Sequence, residues 1–224
     1  MRAVFIAGTG TDIGKTYVCA AAARQLKELS ASVAYYKPAV SGADSVELSD
    51  AGYVRREAGL NQPDESLASY LYREPLSPHL AARLEGRFAD LERIRADFNA
   101  LKAAYAYCVC EGAGGAACPV VWEEGRRLTY PDIIRALGLK VLVVADAGLG
   151  TINHTVLTLS YLEREGIPVR GVILNRFEAA LEQHRDNLKM IEELSGVRVA
   201  ATLSARGRRL DLRGGTLESY FDEC

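Results

Sequence analysis

A chain of 224 residues, 49% of them hydrophobic, can bury one sizeable core and gives no reason to split, so one domain is expected over residues 1–224. Its formal net charge of −2 leaves no electrostatic footprint for nucleic acid, and no uninterrupted apolar segment is long enough to span a membrane. Cys19, Cys108, Cys110, Cys118 and Cys224 form no CxxC pair, and His79, His154 and His184 lack metal-ligand spacing; no disulfide framework or zinc site is expected, and a reducing, cytoplasmic setting is favoured.

The first element is the apolar run Ala3 to Ala7, read as a core strand. It is no secretion signal, because Thr9, Thr11, Asp12 and Lys15 interrupt it before any cleavage site. Next comes Gly8-Thr9-Gly10-Thr11-Asp12-Ile13-Gly14-Lys15-Thr16, followed by the Ala-rich helical segment Tyr17 to Leu29. A strand, a glycine-rich turn and a helix in this order make a phosphate-binding loop: glycines let several N–H groups converge on one anion, and the helix start adds its unpaired donors. Lys15 then suits the terminal phosphates and Thr16 a metal. The spacing departs from the usual pattern, with five residues rather than four between Gly8 and Gly14.

Further buried strands are predicted at Val33 to Tyr36, Tyr107 to Cys110, Lys140 to Ala145, Val169 to Leu174 and Val197 to Ala201. Between them Leu91 to Ala104, Ile152 to Glu165 and Leu181 to Leu194 repeat apolar residues at helical intervals, with Ile152, Val156, Leu159 and Leu162 on one stripe. The fold class is therefore α/β, a mainly parallel sheet flanked by helices on both faces, of the P-loop NTPase kind. Ligands in such sheets bind beyond the carboxyl ends of the strands. Those ends read Lys37-Pro38-Ala39-Val40-Ser41-Gly42, Glu111-Gly112-Ala113-Gly114-Gly115, Asp146 to Asn153, and Asn175-Arg176. Charged and small polar residues thus gather at the edge that holds Lys15 and Thr16, with Asp146 equally readable as a solvated loop residue.

GTGTDIGKT, YKPAVSG, CEGAGG and GLGTINHT stand in an order and at a spacing that resemble dethiobiotin synthetase, from Val4 to about Asn175. The five-residue loop is that family's own variant. The resemblance implies an ATP-dependent carboxylase that closes a ureido ring: CO2 forms a carbamate on one amine of 7,8-diaminopelargonate, the carbamate attacks the γ-phosphate of ATP, and the second amine displaces phosphate. By the same resemblance Lys15 holds the β and γ phosphates, Lys37 acts where carbamate meets γ-phosphate, and Thr11 and Ser41 bind reacting groups of the substrate. Mg²⁺ is expected on Thr16, Glu111 and Asp50, with Asp44 and Glu47 as alternatives to Asp50.

Asn175 resembles the residue that reads adenine, completing a nucleotide site built on Gly8, Thr9, Gly10, Thr11, Asp12, Ile13, Gly14, Lys15 and Thr16. Gly150, Thr151, Ile152 and Asn153 begin a helix whose N–H groups suit the diamine's carboxylate. In the family they serve the neighbouring subunit, which implies a homodimer. The cluster Arg206, Arg208, Arg209 and Arg213 reads as a solvated segment. The alternative is a switch ATPase of the chromosome-partitioning or septum-placing type, but no Lys or Arg lies between Gly8 and Gly14 and no basic amphipathic helix closes the chain. An amide-forming ATPase of corrin synthesis would need a glutaminase domain for which the chain has no room.

Overall fold

The computed structural model describes residues 1–29 and 32–224. In chain order its elements are β1 (Arg2–Gly8), α1 (Lys15–Glu28), β2 (Val33–Ser41), α2 (Asp50–Ala58), β3 (Ala68–Tyr72), α3 (Pro78–Glu85), α4 (Leu91–Ala104) and β4 (Tyr107–Glu111). There follow β5 (Pro119–Glu123), β6 (Arg126–Thr129), α5 (Tyr130–Leu137), β7 (Val141–Asp146), α6 (Thr151–Arg164), β8 (Val169–Asn175), α7 (Glu182–Ser195), β9 (Val199–Leu203), β10 (Asp211–Leu212) and β11 (Asp222–Glu223). One sheet runs in the order β10-β9-β8-β7-β1-β4-β2-β3, while β5 and β6 form a separate hairpin. From β9 to β3 every pairing is parallel; β10 and β11 run antiparallel. β11 pairs with Arg2 and Ala3, ahead of Phe5, where the pairing of β1 with β7 begins.

Crossovers lay helices on both faces, so the central strands are apolar on both sides. Val4 and Ile6 pack with Val18 and Leu26 of α1 and Val54 of α2. Phe5 and Ala7 face the opposite core, with Ile94 and Phe98 of α4 and Ile133 of α5. Ala20 to Ala23 keep α1 thin enough to lie close to the sheet while favouring the helix itself.

Two strands differ by two residues or more from those read in the sequence. The second strand does not end at Tyr36 but runs through Lys37 to Ser41, because it changes partner: β4 pairs with it as far as Tyr36, and β3 takes over from Lys37. At the change the Gln62 side chain stands in for a strand residue, accepting from the Tyr35 N–H at 2.8 Å and donating to the Tyr35 carbonyl at 2.9 Å. The last buried strand begins two residues beyond Val197, since Gly196 ends α7 in the left-handed region and the chain needs those residues to turn into β9.

Candidate active site

A cavity of about 840 Å³ opens at the carboxyl ends of β1, β2 and β4. One side is the phosphate loop, in which Gly14 is required both by its backbone and by contact. Gly14 has φ 87°, and a Cβ there would sit 2.1 Å from Asn175 Nδ2; one on Gly8 would meet Ile13 and Lys15 at 2.8 Å. Ala116 N–H donates to Gly8 O at 2.9 Å, seating the EGAGG turn against the loop. Lys15 Nζ donates to Gly10 O at 2.7 Å. Burial lowers its pKa and the Lys37 charge adds to that, with Glu111 opposing.

The charged centre of the cavity is Glu111, the last residue of β4, with 0% exposure. Its Oε1 accepts from Thr16 Oγ1 and from Lys37 Nζ, both at 2.8 Å, and its Oε2 accepts from the Tyr35 hydroxyl at 2.8 Å. Tyr35 and Lys37 are two apart on a strand and so share a face. Lys37 Nζ also donates to Asp50 Oδ2 at 2.5 Å. Asp50 opens α2 behind its Ser49 cap, which accepts from Ala51 N–H at 3.1 Å. Burial alone would discharge Lys37, but Glu111 and Asp50 outweigh it and hold the ammonium pKa above the ordinary lysine value.

Of the three acidic residues considered for the metal, Asp50 lines the cavity and the other two do not. Asp44 is 84% exposed and lies 3.8 Å from Arg73. The Glu47 carbonyl accepts from Arg56. Thr16, Asp50 and Glu111 offer oxygen donors only, and the Lys37 ammonium lies between both carboxylates, so the pair accommodates a cation. Among the described residues no cluster of three or more His, Cys, Asp or Glu can hold a metal alone. This set suits a hard ion that also takes phosphate oxygens and water, as Mg²⁺ does.

Thr11 and Ser41 line the same cavity, Ser41 at the end of β2. Asn175 ends β8, and its Nδ2 donates to Ile13 O at 2.8 Å while its buried Oδ1 has no partner. Arg176 (φ 56°) reaches back to donate to the carbonyl of Asp12 (φ 58°) at 2.8 Å. It also pairs with Asp146, whose other oxygen accepts from Gly148 N–H at 2.8 Å, so Asp146 is a structural link between loops.

Gly150, Thr151, Ile152 and Asn153 do not line this cavity. They start α6 elsewhere on the same sheet edge, beside Leu149, which is 91% exposed. The Thr151 N–H is already bonded to Gly148 O at 3.3 Å, leaving Ile152 and Asn153 in the donor-rich first turn. The arginine segment is exposed as read, but paired: Arg208 with Glu57, Arg209 with Glu28 and Arg213 with Glu192. Arg206 and Arg208 also border a smaller cavity of about 270 Å³ beside Tyr17 and Tyr53.

Sequence reasoning missed Tyr35 and the Pro75 to Pro78 wall. Position i−2 to a functional strand lysine was the available signal for Tyr35; nothing local marked the wall, which depends on β3. Asn187 of α7 was also missed; its amide clamps the turn before α6 by donating to Ala147 O at 2.9 Å and Gly148 O at 3.1 Å.

A family model described as an AAA domain matches residues 2–207. An ATP-dependent dethiobiotin synthetase of Brachyspira hyodysenteriae is 44% identical over 221 residues, 99% of each chain. One from Clostridium perfringens is 39% identical over 206 residues, 90% of each chain. The chain belongs to the dethiobiotin synthetase family. It is an ATP-dependent ligase that forms carbon–nitrogen bonds. Among solved structures it resembles MinD in the MinC–MinD cell division complex of Aquifex aeolicus (TM-score 0.59, 15% identity, 92% of this chain and 82% of that one). It also resembles a ParA family ATPase of Chlorobium tepidum (TM-score 0.58, 14% identity, 91% and 84%). At such identities the likeness shows the P-loop NTPase fold alone.

Proposed function

We propose that this chain converts 7,8-diaminopelargonate, CO2 and ATP to dethiobiotin, ADP and phosphate. The observation that carries the reading is Lys37, a buried ammonium held between Glu111 and Asp50 in the cavity that also contains Lys15 and Thr16. One amine of the diamine adds to CO2 and loses a proton to give a carbamate. A carbamate oxygen attacks the γ-phosphorus as ADP leaves, and the second amine attacks the carbonyl carbon of the carbamic-phosphoric anhydride, expelling phosphate and losing its proton.

Phosphoryl transfer rests on positioning and on neutralising crowded oxygens. Lys15 and the N–H groups from Gly8 to Thr16 hold the phosphates, while Lys37 stabilises charge that develops between carbamate and γ-phosphate. Thr11 and Ser41 orient the diamine end. Thr16, Asp50 and Glu111 would hold Mg²⁺, which supplies positive charge to the phosphate oxygens when bound. Asn175, whose Nδ2 is engaged by Ile13 and whose buried Oδ1 has no partner, would read the adenine base.

Gly150, Thr151, Ile152 and Asn153 would capture the diamine carboxylate for the neighbouring subunit of a homodimer, a reading supported by their separation from this chain's own cavity. Five free thiols suit a reducing cytoplasm. Phosphate release from ATP, measured with and without the diamine and bicarbonate, tests the proposal. Release should require both, whereas equal turnover without the diamine would indicate a switch ATPase.

A further inference from the structure

Glu111 carries two oxygens, and the fold treats them differently. Oε1 faces the cavity, where Thr16 and Lys37 meet it. Oε2 points the other way, into the core between β2 and α1, where the Tyr35 hydroxyl donates to it at 2.8 Å. Tyr35 is itself 0% exposed, among the largest fully buried side chains, and its backbone is pinned on both polar atoms by Gln62. A phenol so fixed gives the carboxylate one orientation. A phenol is protonated at neutral pH, so the hydroxyl is a donor here.

We propose that Tyr35 is a positioning residue that withholds Oε2 of Glu111, making the carboxylate a one-oxygen ligand and thereby favouring Mg²⁺ over Ca²⁺. This rests on the reading of Thr16, Asp50 and Glu111 as metal ligands. Mg²⁺ demands near-octahedral geometry at short distance, which single carboxylate oxygens satisfy; Ca²⁺ takes more oxygens and accepts a carboxylate through both. A hydrogen bond on the far oxygen sets which of these Glu111 can supply, and such supporting contacts typically change metal affinity by roughly ten- to a hundredfold. Removing the hydroxyl takes the phenol donor from Oε2, leaves the Cys19 thiol as the remaining core neighbour of Glu111, and loosens the orientation of the carboxyl group.

Tyr35→Phe keeps the ring that fills the core. Mn²⁺ binding to the full chain with ADP, followed by electron paramagnetic resonance and displaced by Mg²⁺ or Ca²⁺, reads affinity without turnover. Tyr35→Phe should weaken Mg²⁺ displacement about tenfold and lower the Mg²⁺ to Ca²⁺ preference by a similar factor. Tyr36→Phe is the control: its hydroxyl meets Ser69 and Ile94 O on the opposite face, so it loses a buried phenol without touching Glu111 and should leave the preference unchanged. An unchanged preference in Tyr35→Phe, or an equal loss in Tyr36→Phe, overturns the assignment of Tyr35. If Glu111→Gln also binds all three ions like the unaltered chain, the metal reading falls with it; if Glu111→Gln loses them while Tyr35→Phe does not, only the inference about Tyr35 falls.

Discussion

The end of β4 and the start of α6 lie on the same edge of the sheet, yet they are built in opposite ways. Around Glu111 the chain supplies its own partners: Thr16 and Lys37 donate to one carboxylate oxygen, Tyr35 donates to the other, and Lys37 also reaches Asp50. At the start of α6 the chain supplies a rigid turn, clamped by Asn187 and by Asp146, but leaves an exposed Leu149 and a first turn facing away from the cavity. The first region is a preorganised charge centre. The second, on the proposal above, would be completed by a neighbouring subunit.

The largest effect should come from the charge centre. Lys37→Ala removes the charge proposed to act where the carbamate meets the γ-phosphate, so turnover should fall at least roughly a hundredfold with ATP binding little changed. Lys15→Ala should instead weaken ATP binding. Steady-state kinetics beside an equilibrium nucleotide titration separates the two, and a fully active Lys37→Ala would make the wiring around Glu111 purely structural. Next, Asp50→Asn should raise the Mg²⁺ concentration for half-maximal rate about tenfold, while Asp44→Asn and Glu47→Gln should leave it alone; the reverse pattern moves the metal off Asp50.

The α6 surface is probed by mixing. Asn153 is exposed and Thr151 buried, so Asn153→Glu adds a charge with less disturbance of packing. Homodimers of Asn153→Glu and of Lys37→Ala should each be nearly inactive. After free exchange of equal amounts, half of the dimers are mixed and each of those has one intact site, so roughly a quarter of full activity should return for a two-fold dimer. Mixed dimers without recovery would mean that the α6 start serves its own chain.

The smallest effect lies away from both regions, at Asp222 on β11. Burial opposes its charge, but Arg170 and Lys140 outweigh that and lower its pKa below the ordinary 3.8. Its contribution is present above that value and lost as pH falls through the lower folded one. Asp222→Asn should therefore cost about 0.5–1 kcal/mol at neutral pH and progressively less in acid, as read from denaturant midpoints.

The central sheet was legible because parallel strands buried on both faces appear as plain apolar runs, and the phosphate loop because its glycines are local. Lys15, Thr16, Lys37, Ser41 and Glu111 were found from motifs and Asp50 from the family resemblance, and all meet in one cavity. β3 was not legible: its run Ala68-Ser69-Tyr70-Leu71-Tyr72 mixes polar and aromatic residues at the sheet edge. The extension of β2 escaped for the same reason, since Pro38 and small residues look like a loop until β3 is there to pair with them. Tyr35 needed knowledge that β2 and β4 are neighbours although α2, β3, α3 and α4 separate them in sequence.

By outrunning β4, β2 becomes a measuring rod. Lys37 and Ser41 stand four residues apart on β2, which at about 3.3 Å per residue is roughly 13 Å of paired backbone, and both line the cavity. The length of that projecting segment fixes the separation of the two proposed substrate contacts. An insertion between them should lengthen the segment and shift the preferred substrate by a predictable length.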